Sequence, residues 1–239
     1  MKNKKNLFVM NLLALQIVFI ACHNNTTLDS ANESKMKLEF DTTTVLIGTQ
    51  RWCKYDLDVT HFRNGDKIKD VSGSFIDEYE HQQNQFQWNH DDSAKTTCSW
   101  GYGDPNIPGD YEGRLYNWHA VNDSRGLAPR GFHIPSDHEW NTLANFLGGL
   151  EVAGKKMKSK DSFQNKISPC TNESGFSAKD VGYCDFKLEF TKPLGICWWS
   201  STEEHVGTAW CYDLHFEKES LGRNGMFKGY GFSVRCIKD

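Results

Sequence analysis

The run from Gly131 to Gly149, GFHIPSDHEWNTLANFLGG, constrains this chain more than any other stretch. Ser136 is placed to accept from the free amides of a first helical turn. Glu139, three residues on, reaches back to the Ser136 amide, the reciprocal arrangement of a capping box. Pro135 stands just outside the cap. Trp140, Leu143, Ala144 and Leu147 then recur at helical spacing on one face, and Gly148-Gly149 offers the left-handed backbone that ends a helix. The spacing predicts a helix from Asp137 to Leu147 that buries one stripe.

The N-terminus speaks to the compartment. Lys2, Lys4 and Lys5 form a positive leader, and Leu7 to Ile20 is an apolar segment too short for a spanning helix. Phe19-Ile20-Ala21-Cys22 then reads as a lipobox, with Cys22 as the lipidation site and first mature residue. Acyl chains on Cys22 would anchor the protein by burying methylenes at about 0.8 kcal/mol each. His23 in place of an aspartate favours delivery to the outer membrane, facing either the cell surface or the periplasm. Residues 22–38 are rich in Asn, Thr, Ser and Lys and read as a flexible tether spanning on the order of 20 Å. The expected organisation is therefore a signal peptide over 1–21, a tether over 22–38, and one domain over 39–239.

Charge narrows the partners. The formal charge is −4, and loss of the three leader lysines takes it to −7. With no long basic run, nucleic acid is excluded as a partner, because neutralising phosphates requires clustered Lys and Arg. The membrane contact expected is the lipid anchor itself.

Eight cysteines, seven once Cys22 is acylated, suit disulfides in an exported chain. Cys197 and Cys211 flank an apparent turn at Glu203-Gly207 and are expected to pair; Cys170 with Cys184 and Cys98 with Cys236 follow, leaving Cys53 over. The spacings lack paired Cys-x-x-Cys knuckles, so no structural zinc is expected.

The remaining pattern is strand-rich. Thr44–Gly48 and Gln50–Trp52 read as an opening hairpin, and Val59–Phe62 precedes an Arg63-Asn64-Gly65-Asp66 turn. A polar region follows from Ser72 to Pro108, then a short helix over Leu115–Val121. Met157 to Ser168 reads as charged and irregular, while Trp198-Trp199, Ala209–Phe216 and Phe232–Cys236 read as a closing sheet.

Several blocks carry a family resemblance. They are Gly113–Asp123, Arg125–Pro129, the Ile134-Pro135-Ser136 to Trp140 motif, Asn172–Ala178, Trp198–Glu203 and Gly231–Cys236, in this order. The chain resembles the Fibrobacter succinogenes major paralogous domain over roughly Val45 to Asp239. That family resembles the formylglycine-generating-enzyme branch of the C-type lectin-like fold. The resemblance implies an α+β, C-type lectin-like fold, with two helices packed on small antiparallel sheets and long irregular loops. It implies no activity by itself.

The related oxidases carry a copper-binding cysteine pair before their terminal strand, whereas Phe216 to Tyr230 contains no cysteine, which excludes that thiolate chemistry. Calcium-lectin loops have only loose counterparts in Asp104-Pro105-Asn106 and Val121-Asn122-Asp123, so no metal or other cofactor is expected. Gly-x-Ser-x-Gly and His-Glu-x-x-His motifs are absent, His119 reads as a packing residue, and no catalytic residue is assigned. Trp118, Trp140, Trp198 and Trp199 read as core. Trp88, Trp100, Tyr102 and Tyr111 fall in the polar region and are the candidate ligand-binding aromatics. The expected function is a non-enzymatic binding or structural module for a glycan or protein, against the alternative of an enzyme of unknown class on the same scaffold.

Overall fold

The structure is a computed structural model that describes residues 43–70, 98–101, 113–163, 169–183 and 195–239. These belong to one compact unit, Thr42–Asp239. The opening hairpin is as expected, with β1 (Thr44–Ile47) antiparallel to β2 (Gln50–Cys53). The chain's last strand, β10 (Ile237–Lys238), lies between β2 and β6 (Phe132–His133), completing a four-stranded sheet. A small sheet joins β3 (Lys69–Asp70), β4 (Cys98–Gly101) and β5 (Arg114–Tyr116), with β3 and β4 parallel. The third sheet is the antiparallel set β7 (Gly195–His205), β8 (Thr208–His215) and β9 (Gly222–Phe227).

Three helices occur among the described residues, one more than expected. The first, α1, is confined to Trp118–Val121, because Leu115 and Tyr116 are drawn into β5 opposite Trp100 and Ser99. Asn117 caps it, its side chain accepting from the Ala120 amide at 3.0 Å. The second, α2 (Asp137–Phe146), carries the expected capping box: Glu139 accepts from the Ser136 amide at 2.8 Å, and Ser136 Oγ accepts from the Glu139 amide at 3.3 Å. Its apolar stripe is buried, and the Gly149 amide closes back on the Ala144 carbonyl at 2.8 Å. Gly149 then caps α3 (Leu150–Met157), which occupies residues expected to lead into an irregular stretch.

The core forms where α2 meets β2 and the β7–β8 face. Trp140 lies 4.8 Å from Trp52, 5.8 Å from Trp198 and 4.9 Å from Tyr212, the last pair stacked. Phe176 packs edge-on to Trp198 at 5.5 Å. Such pairs contribute about 0.5–1.5 kcal/mol each beyond the area they bury. Trp199, next in the chain, points to the other face of β7 and meets Phe232 at 4.4 Å. Phe232 to Cys236 makes bridges to Tyr116 and Trp198 rather than a full strand of the closing sheet, whose third member is β9.

Candidate functional site

The segment after β2 abandons strand periodicity, and this creates a groove. Lys54, Tyr55, Asp56, Ser177, Lys179 and Arg235 line a small open depression of about 90 Å³, with the buried Arg235 as its floor. The floor is fixed by charge. Asp56 and Arg235 are almost wholly buried and pair at 2.7 Å, and the same Asp56 oxygen accepts from the Trp198 indole at 2.8 Å. The guanidinium stands over the Phe176 ring at 4.3 Å and donates to the Phe176 carbonyl. A buried pair of this kind contributes little net stability but is costly to break from one side. Above it, Tyr55 is about half exposed, at 49%, and flanked by the two lysines. A half-exposed aromatic ring beside two lysines suits a flat, oxygen-rich ligand.

Asp56 also touches the segment that leads into β5. Gly113, where the chain re-enters after residues 102–112, lies against Asp56, with 3.1 Å between a Cβ built there and the Asp56 Cβ. The Arg114 amide donates to the Leu57 carbonyl at 2.9 Å, and its guanidinium pairs with Asp70. Because β3 runs parallel to β4 and β4 antiparallel to β5, the segments 71–97 and 102–112 both leave from the same end of this sheet.

Of the candidate ligand-binding aromatics, Trp100 falls in β4 opposite Leu115. Trp88, Tyr102 and Tyr111 lie outside the described residues, as do Cys22 and Cys184. Trp118, Trp140, Trp198 and Trp199 are all buried, as expected of core residues. Tyr55, Lys54, Ser177 and Lys179 were not legible as a group. They come from two segments far apart in sequence and carry no shared motif.

The cysteines depart from expectation. Cys53, Cys170, Cys197, Cys211 and Cys236 are all free thiols in this structure, so pairing is judged by register, which sets Asp213 opposite Cys197 and Trp199 opposite Cys211. The two are therefore diagonal neighbours, roughly 7–8 Å apart between Cα atoms, outside comfortable disulfide reach. The Cys170 thiol faces the Phe163 carbonyl at 3.9 Å. Cys236, assigned to Cys98 from spacing, instead lies across from Cys53, whose amide donates to its carbonyl at 2.9 Å.

Other polar groups are tied into the frame. Asp137 receives both Arg223 (2.7 and 3.0 Å) and the Tyr212 hydroxyl (2.8 Å). Burial alone would raise the Asp137 carboxyl, but these bonds hold it below the usual range. His133 is held between Glu139 and Asp239, 2.7 Å on either ring nitrogen. Burial disfavours its protonation, yet the two carboxylates outweigh that and raise its pKa. Among the described residues no cluster of three or more His, Cys, Asp or Glu side chains is arranged to hold a metal ion, and no helix is long and apolar enough to cross a membrane.

The profile of the Fibrobacter succinogenes major domain matches residues 45–238. The chain belongs to that family. No curated protein and no solved structure matches it.

Proposed function

We propose that this member of the family is a lipid-anchored, non-enzymatic binding module of the outer membrane, facing the cell surface or the periplasm. It takes a glycan or a protein ligand with its irregular connections. The observation that carries this reading is the half-exposed Tyr55 ring beside Lys54 and Lys179, over the buried Asp56–Arg235 pair. Tyr55 supplies a stacking face with Lys54 and Lys179 beside it, and Trp88, Trp100, Tyr102 and Tyr111 are the candidate aromatics read from the sequence. The C-type lectin-like architecture implied by the resemblance accords with helices packed on small sheets and with contact delegated to loops. Cys22 supplies the anchor and residues 22–38 the tether.

Binding of the full chain to a glycan array, compared with Tyr55→Ala and a Trp100→Ala, Tyr102→Ala double variant, is the test. Selective binding that both variants lose supports the reading, and silence across a broad array removes the glycan part of it. Cys22→Ser should move the protein from the membrane fraction to the soluble one; continued membrane association would count against the anchor. The enzymatic alternative has one observation in its favour, the His133 imidazole between two carboxylates. Activity in a broad hydrolase screen that His133→Asn abolishes would bring it forward.

A further inference from the structure

We propose that Cys53 and Cys236 are a disulfide-forming pair that staples the opening hairpin to the closing strand. The antiparallel register of β2 and β10 sets Trp52 opposite Ile237, so the adjacent positions, Cys53 and Cys236, also face each other. The backbone bond from the Cys53 amide to the Cys236 carbonyl, 2.9 Å, fixes that register at the cysteines themselves. Trp52 and Ile237 project into the aromatic core, so by strand alternation both cysteines project from the opposite face of the sheet. Facing residues of an antiparallel ladder have Cα atoms about 4.5–5.5 Å apart, inside the range of about 4.4–6.8 Å that an unstrained disulfide spans.

The neighbourhood agrees with the pairing. Cys53 is partly exposed as a residue, while Cys236 is buried at 2%. The other described cysteines offer no competing partner in register: Cys197 and Cys211 are diagonal, on a different sheet. Burial pushes the Cys53 thiol up to about 11. In the folded, reduced protein its thiolate is therefore scarce at neutral pH, and the bond is made most readily while the strands are coming together.

In the reaction each thiol gives up its proton and one electron as the sulfur–sulfur bond forms. Both electrons and both protons pass to a disulfide oxidant, such as oxidised glutathione or the disulfide of an oxidoreductase, which leaves as two thiols. The resulting link joins the two ends of the domain, a closure that limits the unfolded chain over almost its whole length. The exported setting proposed above would supply the oxidant, but the pairing rests on register alone.

The test is a peptide map of the reduced full chain refolded in detergent with a glutathione redox buffer, blocked with N-ethylmaleimide and digested without reduction. A peptide carrying Cys53 linked to one carrying Cys236 is the expected result. Alkylation of both, or a link from Cys236 to any other cysteine, would overturn the pair. As a second readout, reductant should lower the melting temperature of the wild type by about 5–15 °C. That drop should be largely lost in Cys53→Ser and retained in Cys197→Ser; equal drops in all three would also overturn it. The same map on protein alkylated in intact cells separates the two readings: a link formed in vitro but missing there upholds the pair and counts against the exported setting.

Discussion

Around Trp140 the domain is held by residues from four distant parts of the chain, whereas around β4 it is held by three strands of two to four residues. In the first region Trp52, Trp140, Phe176, Trp198 and Tyr212 interlock, and the buried Asp56–Arg235 pair is also bonded to Trp198 and Phe176. In the second, the ladders are short and the Arg114–Asp70 ion pair is open to water on the Asp70 side. Strands this short gain little independent stability. The contrast separates a frame that cannot vary cheaply, and that also floors the Tyr55 groove, from a small sheet at its margin.

The largest expected effect falls in the frame. Asp56→Ala leaves the Arg235 guanidinium buried beside Trp198 without its counter-charge, and should cost about 3–5 kcal/mol in urea unfolding. A cost under about 1 kcal/mol would mean the region is far more open than drawn. A finer comparison uses two substitutions of equal volume. Trp198→Phe removes the donor to Asp56, while the Trp140 indole nitrogen is buried with no hydrogen-bond partner among the described residues. Trp198→Phe should therefore exceed Trp140→Phe by roughly 1–3 kcal/mol, and equal losses would deny the hydrogen bond its role. Ser136→Ala removes the cap of α2 and should cost about 1 kcal/mol, with helix content otherwise preserved. At the margin, Arg114→Ala should change global stability by less than about 1 kcal/mol, since its partner Asp70 is largely solvated.

A pH effect of similar small size belongs to the His133 contact. Its folded pKa is raised above the ordinary 6.5, so this contribution is complete below 6.5 and fades as pH rises through the folded value. For Glu139 burial would raise the pKa from 4.5, but the Ser136 amide and His133 together lower it. That contribution holds above 4.5 and fades on acidification. Their joint maximum lies between about pH 4.5 and 6.5. Because the His133 side chain is 40% exposed, solvent screening limits the change to below about 1 kcal/mol. Unfolding curves for wild type and His133→Asn should converge toward pH 8 and separate near pH 5.5.

The helix α2 could be read from sequence because its start, stripe and stop are all local. Its neighbour α3 could not, since Gly154 interrupts the pattern. The glycine is required by packing: a Cβ there would collide with the Ser220 carbonyl, whose strand-side loop crosses the helix. β9 was hidden similarly, because Gly222 and Gly225 lie under the carboxylates of Asp213 and Glu204 and leave no alternation to detect. The Cys53–Cys236 juxtaposition depends on the register between the two ends of the domain, which no local pattern encodes. The groove has the same origin, since Tyr55 and Lys179 converge only after Asp56 binds Arg235 beneath them.

Native-state hydrogen exchange tests the division of frame and margin most directly. Amides of α2 and of β8, the central strand of its sheet, should exchange only through global unfolding, whereas those of β3 and β4 should open locally at a free energy several kcal/mol lower. Protection of β3 and β4 equal to that of β8 would contradict the account.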